Sequence, residues 1–212
     1  MDIIIFGASG RTGFELVRQA LFQGHSVTAF VRKQGRLRLL DDEDLLVIEG
    51  DLNDPEQVRV AMRGKHAVIS ALGVSKTLHH DPEVVKGVAT IVQAMRAENI
   101  HRLIYLSVFL AGSKPGQFSF FVEKILKRII HKEIHDHEAK EKIIYEHATG
   151  YTVVRATRLT DSPLTGKYRH GETIAIRNFI PSITRADVAH FILKQLGDGT
   201  YVNKAVLVTG TP

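Results

Sequence analysis

The sequence contains no cysteine. This absence excludes disulfides, zinc–thiolate sites and thiol nucleophiles, and it fits a reducing compartment. No apolar run approaches the length of a membrane-spanning helix, and the N-terminus enters a predicted strand without a charged leader. From these absences we expect a cytoplasmic protein that has no membrane partner.

Neither sign of charge dominates strongly, because 28 lysines and arginines stand against 23 acidic residues for a net charge of +5. The basic residues are spread along the chain, with one denser stretch from Lys124 to Lys142. Aromatic residues are not interleaved with that stretch as single-strand binding requires, so we expect no nucleic-acid partner. An anionic small molecule explains the basic excess more simply.

Few residue clusters have metal-binding spacing. His131 and His135 are four residues apart and share a helical face, but no third ligand accompanies them. We therefore interpret this stretch as a solvated helix face and predict no metal site.

The 212 residues are expected to form one domain, residues 1–212, in which strands and helices alternate. Hydrophobic periodicity predicts these elements. The predicted strands are 2–6, 26–31, 45–49, 67–71, 102–107, 152–156 and 205–208. The predicted helices are 11–23, a helix with Asn53 or Asp54 as its cap and Pro55 in its first turn, 82–98, 118–148 as one or two helices, and 184–196 with Thr184 as its cap.

Continuously apolar strands that alternate with helices predict an α/β fold of the Rossmann type. Its sheet would be doubly wound and mostly parallel, with helices on both faces. Ligands of such sheets bind beyond the carboxyl ends of the strands. The segment 157–182 interrupts the alternation, so we expect pocket-forming loops at 108–121 and 157–182.

The stretch IIIFGASGRTG, residues 3–13, joins the first strand to the first helix. Gly7 would allow a sharp turn, Gly10 a close approach of a pyrophosphate, and Gly13 close packing of the helix on the sheet. The free N–H groups of the helix end would bind the diphosphate, with Ser9, Arg11 and Thr12 around it. The spacing is one residue wider than the G-x-G-x-x-G fingerprint, and a plain tight turn is the alternative. We predict a dinucleotide site.

The end of the second strand indicates which dinucleotide. Arg32 stands where NAD-preferring sites carry an acidic residue, Lys33 follows it, and Arg11 lies across in the glycine loop. A guanidinium binds a phosphate through two parallel hydrogen bonds, so we predict NADP(H) as the cofactor. The alternative is that Arg32 is an ordinary surface residue.

Two further segments complete the predicted cofactor site. Asp51 would accept a hydrogen bond from the adenine amino group, with Leu52 beside the ring, although an Asx turn or a helix cap explains Asp51 equally well. The small residues after the fourth strand, Ala71, Leu72 and Gly73, would leave room for the middle of the cofactor, or would simply make a turn.

Candidate chemistry lies after the fifth strand. Ser107 would bond the nicotinamide carboxamide or the substrate, and no elbow motif makes it a nucleophile. Phe109 and Leu110 would contact a flat substrate. His137 would donate a proton only if its helix faces the cleft. No tyrosine has a lysine four residues later, so the Tyr-x-x-x-Lys proton relay of short-chain dehydrogenases is absent.

With IIIFGASGRTG, VTAFVRK, LSVFL and DSPLTGKY, the chain resembles the atypical short-chain dehydrogenases of the NAD(P)H-binding, NmrA-like group. Within that group it is most similar to the biliverdin-IXβ reductases, also called flavin reductases. The resemblance implies hydride transfer from NADPH to a flavin, a quinone or a linear tetrapyrrole. It also implies that Ser107 and Phe109 frame the nicotinamide and substrate, and that His137 lies near the pocket.

One residue departs from the pattern of that group, since Arg158 stands where the group carries a histidine. A histidine-based acid role is therefore in doubt, and Arg158 instead offers a fixed cation to a propionate or flavin phosphate. Two alternatives remain open: an NmrA-like NADP(H) sensor without catalysis, and a sugar epimerase-like enzyme. We expect a monomer or a weak homodimer.

Overall fold

The computed structural model describes residues 1–73, 81–114, 116–176 and 178–211. Ten strands, six α-helices, a 3-10 helix at Gly35–Leu39 and a π-helix at Val122–Leu126 occur in these ranges. The strands are β1 Asp2–Phe6, β2 Ser26–Val31, β3 Leu45–Glu49, β4 Ala67–Ser70, β5 Leu103–Val108, β6 Tyr151–Ala156, β7 Arg158–Thr160, β8 Tyr168–Gly171, β9 Ser182–Thr184 and β10 Lys204–Gly210. The helices are α1 Arg11–Phe22, α2 Pro55–Met62, α3 Pro82–Ala97, α4 Lys127–Ile129, α5 His131–His147 and α6 Arg185–Lys194.

Eight strands form one sheet in the order β3-β2-β1-β4-β5-β6-β10-β8. All neighbours pair in parallel except β8, which runs antiparallel to β10. The chain winds outward from β1 to β3 and then returns to place β4 on the other side of β1. This reversal creates the crevice in which doubly wound sheets bind ligands. The predicted Rossmann-type α/β fold is confirmed.

Alternate residues of the central strands enter two different cores. Ile3 and Ile5 pack with helices α1 and α6, whereas Ile4 and Phe6 pack with α2, α3 and α5. The side chains of a strand alternate between its two faces, so a run of apolar residues is what a doubly covered strand requires.

Side-chain caps fix where three helices begin. The Asp54 carboxylate accepts hydrogen bonds from the N–H groups of Glu56 and Gln57, with Pro55 in the first turn. Thr184 accepts from the Asp187 N–H, and Asp81 accepts from the Val84 N–H. These contacts satisfy N–H groups that lack partners within the helix.

The sequence-based reading of residues 157–182 as loop is wrong in part. Strands β7 and β9 pair with each other in parallel, and β8 extends the main sheet at the edge of β10. Within the described ranges, no helix is long and apolar enough to cross a membrane.

Candidate functional site

Two adjoining cavities lie at the carboxyl ends of the parallel strands. The first, which we call the glycine-loop cavity, has a volume of about 680 Å³ and is bounded by the turn after β1. The second, which we call the apolar cavity, has a volume of about 650 Å³ and is bounded by the ends of β5 and β6. They share the lining residues Thr12, Ala71, Leu72, Gly73, Leu159 and Arg185. The two cavities therefore form one continuous cleft.

Almost all residues predicted to bind the cofactor line the glycine-loop cavity. They are Gly7, Ser9, Gly10, Arg11, Thr12, Gly13, Arg32, Asp51, Leu52, Ala71, Leu72 and Gly73. Lys33 is exposed and does not line this cavity. Segments that are distant in sequence thus meet around one space, which is what a binding site requires and what a single tight turn would not produce.

The start of α1 is built differently from the capped helices. Gly10 occupies its N-cap position without a side-chain cap, and the first turn contains no acidic residue. Among the described residues, the first N–H groups of α1 thus have no side-chain acceptor and lie beside the cavity. Together with the helix dipole, such groups bind phosphate.

Each of the three glycines occupies its position for a different geometric reason. Gly7 has φ +76°, and a Cβ there would lie 2.7 Å from the carbonyl oxygen of Ala71. A Cβ on Gly13 would collide with the carbonyl oxygen of Gly7 and lie 2.6 Å from Ala8 Cα. Among the described residues, a Cβ on Gly10 would meet one protein atom within 4 Å, the carbonyl oxygen of Gly7 at 3.2 Å. Gly7 and Gly13 are thus required by the fold, whereas Gly10 leaves its side open to a ligand.

Asp161 links two arginines that line the glycine-loop cavity. Its carboxylate accepts hydrogen bonds of 2.7 Å from Arg11 in the glycine loop and 2.7 Å from Arg185 at the start of α6. Burial and the neighbouring Arg11 charge lower the pKa of Arg185. Two guanidinium groups and one carboxylate therefore lie together beside the glycine-loop cavity, and their net positive charge favours an anion such as a diphosphate.

Asp51 fits both of its alternative interpretations. Its Oδ1 accepts a hydrogen bond of 2.9 Å from the Asn53 N–H, which makes an Asx turn, and the residue also lines the glycine-loop cavity. The turn does not exclude an adenine contact, because it uses one of the two carboxylate oxygens and the residue is exposed.

The walls of the apolar cavity are mainly hydrophobic. They comprise Leu106, Val108, Phe109, Phe121, Leu126, Ile130, Ala156, Leu159, Ile180 and Pro181, which come from both predicted pocket loops and from the helical segment before α5. The charged or polar residues among them include Ser107, His137, Arg158, Arg185 and Glu133. Such a cavity suits a flat apolar molecule with a small number of polar groups.

Ser107, His137 and Glu141 form a buried hydrogen-bonded chain. The Ser107 hydroxyl donates to Glu141 Oε1 at 2.6 Å, and its oxygen lies 3.2 Å from His137 Nδ1. Since the hydroxyl proton is directed to the carboxylate, Nδ1–H is the donor to Ser107. The carboxylate bonds the serine and not the histidine, so this chain lacks the connectivity of a hydrolytic triad.

Glu141 is held on its other side by Arg155 and Tyr145. Arg155 donates to both carboxylate oxygens, at 3.2 Å and 2.5 Å, and the Tyr145 hydroxyl donates at 2.8 Å. Glu141 is 2% exposed, so its charge is offset by these donors and hardly at all by water. The network holds Ser107 in a fixed orientation at the wall of the cavity.

His137 lines the apolar cavity, which was the condition for its predicted role as a proton donor. Burial, and secondarily the Lys140 charge, lower the pKa of His137 to about 3. The imidazole is therefore neutral near pH 7. As Nδ1 bonds Ser107, the Nε2 lone pair is left as an acceptor.

Among the described lining residues, Glu133 is the one carboxyl group of the apolar cavity. Burial raises its pKa, and the Asp136 charge raises it further, although Lys140 opposes the shift. Its surroundings thus favour the protonated form of a carboxyl, which can donate a proton into the cavity.

The remaining residues predicted to contact substrate do not all lie at the apolar cavity. Phe109 lines the apolar cavity and packs edge-on against Phe118 at 5.2 Å between ring centroids. Leu110 is fully buried in the core with Phe118 and Val122 and lines neither cavity, so the prediction that it contacts substrate is wrong. The turn after β5 directs Leu110 inward. Arg158 is exposed at the cavity wall, and no group of three described side chains is arranged as a metal site.

Sequence reasoning missed Glu133, Glu141, Arg155, Asp161 and Arg185. One signal could have revealed the first two, because Glu133, His137 and Glu141 recur every four residues and therefore share one face of α5. The contacts of Arg155 and Asp161 join distant segments and have no local signal.

A family model described as NAD(P)H-binding matches residues 7–199. The chain belongs to this NAD(P)H-binding family. Nicotinamide cofactor binding is thereby supported, and the predicted family resemblance is confirmed.

Solved structures agree with this NAD(P)H-binding fold. A short-chain dehydrogenase/reductase from Veillonella parvula in complex with NADP has a TM-score of 0.83 and 23% identity, over 100% of this chain and 94% of that one. ChuY, an anaerobillin reductase from Escherichia coli O157:H7, has a TM-score of 0.80 and 20% identity over 100% of both chains. Identities this low show a shared fold only.

Curated relatives match at similarly low identity. The photosystem II assembly factor Ycf39 of Cyanophora paradoxa is 26% identical over 223 aligned residues, which cover all of this chain and 64% of that protein. For the Synechocystis Ycf39, the match covers 54% of this chain and 36% of the relative. The chain thus spans less than two thirds of the length of these relatives.

Proposed function

We propose that this protein is an NADPH-dependent reductase that transfers a hydride to a flat conjugated acceptor, such as a flavin, a quinone or a linear tetrapyrrole. The observation that carries the proposal is the continuous cleft, in which the glycine-loop cavity meets the apolar cavity at Thr12 and Ala71–Gly73. A nicotinamide ring at that junction would face the apolar cavity.

Preference for the phosphorylated cofactor is supported by Arg32. It lies at the end of β2 and lines the glycine-loop cavity, where a 2′-phosphate would be placed. Gly10 and the uncapped start of α1 would hold the diphosphate, and Arg11 and Arg185 would neutralise it. The bound cofactor would supply the hydride.

The residues of the chain would bind the acceptor and deliver the accompanying proton. Phe109, Phe121 and Ile130 would contact a flat ring system, and Arg158 would pair with an anionic substituent. Ser107, oriented by Glu141, would fix the nicotinamide or acceptor carbonyl. The Glu133 carboxyl is the proposed proton donor, because His137 is neutral and no tyrosine is found among the described lining residues.

The test is steady-state NADPH oxidation by the purified protein with FMN, riboflavin, quinones and biliverdin as acceptors. We expect saturation with at least one of them and weaker activity with NADH. FMN and riboflavin differ only by a phosphate, so Arg158→Gln should raise KM for FMN and leave KM for riboflavin unchanged. Arg169→Gln, an exposed change on β8, is the matched control.

Stoichiometric binding of NADPH and NADP⁺ without oxidation by any acceptor would contradict the reductase and favour the NADP(H) sensor. Saturation with FMN that is unaffected by Arg158→Gln would retain the reductase and reject the role of Arg158.

A further inference from the structure

The rim of the apolar cavity carries exposed apolar side chains on two neighbouring segments. Phe121 stacks on Phe179 with 4.1 Å between ring centroids, which brings the helical segment 120–130 against residues 178–181. Phe179 is 63% exposed, Ile180 is 48% exposed, and Ile180 also lines the cavity. The cavity therefore opens between these segments.

The helical segment has a second apolar stripe beside the one that lines the cavity. Leu126 and Ile130 face the cavity. Ile125 and Ile129, each one residue earlier, are 44% and 58% exposed, and Phe120 at the start of the segment is 75% exposed. Side chains four residues apart share a helical face, so the exposed stripe runs along the rim. A contiguous exposed apolar surface at a cavity mouth is typical of an interaction site.

Basic residues flank this stripe. Residues 118–132 contain Lys124, Lys127, Arg128 and Lys132 against a single acidic residue, Glu123. The four cations are exposed, whereas Glu123 is partly buried and accepts a hydrogen bond from the Phe118 N–H at 3.1 Å. The surface is therefore apolar along its centre and cationic at its edges.

This combination selects among possible partners. A second copy would bring the same cations face to face, which is unfavourable. Apolar side chains that enter the acyl boundary, with lysines and arginines at the headgroups, are the features of segments that lie in the surface of an anionic bilayer.

We propose that residues 118–132, together with Phe179 and Ile180, dock on the surface of a bilayer that contains anionic phospholipids, with the mouth of the apolar cavity toward the lipid. This departs from the composition-based expectation of no membrane partner, which considered no side-chain positions. If the proposed reductase function also holds, the acceptor would be an amphiphile that reaches the cavity from the bilayer.

The test is co-sedimentation with vesicles and needs no turnover. We expect binding to vesicles that contain phosphatidylglycerol, little binding to pure phosphatidylcholine, and weaker binding at high salt. Ile125→Gln combined with Ile129→Gln should reduce the partition coefficient by at least about tenfold, because two exposed apolar side chains are lost. Phe22→Gln combined with Val60→Gln, exposed changes on α1 and α2, should leave it unchanged.

The contribution of the basic side chains to vesicle binding is tested separately. Each basic residue near an anionic surface contributes roughly fivefold to binding, so Lys124→Gln combined with Arg128→Gln should weaken binding by about 25-fold. Arg63→Gln combined with Arg96→Gln is the control of equal charge. NADPH affinity and thermal unfolding should be the same in all four variants, which separates loss of docking from loss of fold or cofactor site.

Absence of binding to the anionic vesicles, or equal binding to neutral ones, would overturn the proposal. So would a concentration-dependent dimer that only the Ile125/Ile129 variant loses, since this face would then bind a second copy. Binding of polyglutamate in place of vesicles, with the same sensitivity to Ile125→Gln and Ile129→Gln, would assign the face to an acidic protein.

Discussion

The Ser107 hydroxyl donates a 2.6 Å hydrogen bond to Glu141, a carboxylate that is buried on α5 and also paired with Arg155. One carboxylate thereby orients the proposed active-site serine and neutralises a guanidinium that is 18% exposed. Stability and site geometry depend on the same charge.

Glu141→Gln keeps the shape of the side chain and removes its charge, which leaves Arg155 without its counter-ion. Breaking a buried ion pair in this way costs about 3 kcal/mol or more. We expect that loss in the free energy of unfolding measured with urea. Glu146→Gln, at the exposed end of the same helix, should change it by less than about 0.5 kcal/mol. Equal effects of the two substitutions would show that the Glu141 network contributes no more to stability than an exposed glutamate does.

The pH dependence of stability reports on His137. Burial lowers its pKa from 6.5 to about 3, with a smaller contribution from the Lys140 charge. Between these values the unfolded chain binds a proton that the native chain does not. The stabilisation is therefore fully present above the unfolded pKa and is lost as the pH falls toward 3, by up to about 1.4 kcal/mol per pH unit.

His137→Gln removes this titration. The free energy of unfolding of the variant should therefore fall less steeply than that of the wild type between about pH 6 and about pH 4. Parallel curves for the two proteins would contradict a neutral buried imidazole. A direct NMR titration of His137 checks the same point without a variant.

Glu133 determines the pH profile of catalysis if it is the proton donor. Its raised pKa keeps it protonated to higher pH than an exposed carboxyl, and kcat should fall as the pH rises through that pKa. Glu133→Gln should lower kcat by about a hundredfold, the lower end for a general acid, and should flatten this part of the profile. Glu146→Gln is again the control. A profile that Glu133→Gln leaves unchanged would indicate that water supplies the proton.

Local signals predicted the first βα unit and most helix starts. Three glycines at fixed spacing, Pro55 after Asp54, and Thr184 before an apolar period each act within one turn of chain, so the sequence carries them directly. The parallel sheet followed from apolar runs, because strands covered on both faces have no polar side.

Residues 157–182 lacked such signals. Strand β8, with the sequence YRHG, is short, polar and largely exposed, and it forms only because the edge of β10 offers hydrogen bonds. Leu110 was placed wrongly for the same reason, because packing between distant segments decides which way the chain turns after β5. The spacing of Glu133, His137 and Glu141 marks one face of α5, but the sequence does not show that this face meets Ser107 on β5.

Selectivity for NADPH over NADH tests the role of Arg32. A charge-assisted hydrogen bond to phosphate contributes about 1.5–3 kcal/mol, so Arg32→Ala should weaken NADPH binding by about tenfold or more in calorimetry. NADH, which lacks the 2′-phosphate, should lose less than about threefold. Lys33→Ala is the matched control, since Lys33 is the next cation along the chain but lies outside the cavity lining. Equal losses for both cofactors would reject the phosphate contact.

Substitutions at Gly13 and Gly10 distinguish an effect on folding from an effect on cofactor binding. A Cβ on Gly13 would strike the Gly7 carbonyl group and the Ala8 backbone, neither of which can move without shifting β1 or α1. Gly13→Ala should therefore lower the free energy of unfolding by about 2 kcal/mol or more, a strain comparable to overpacking a core. Among the residues that the structure describes, Gly10→Ala meets a single atom, at 3.2 Å, so the variant should keep most of its stability. It should weaken NADPH binding by about tenfold or more, because its methyl group would occupy the approach of the diphosphate. For both variants, thermal unfolding measures the change in stability and calorimetry measures the change in NADPH affinity. If Gly10→Ala bound NADPH as the wild type does, the diphosphate would not lie against this turn.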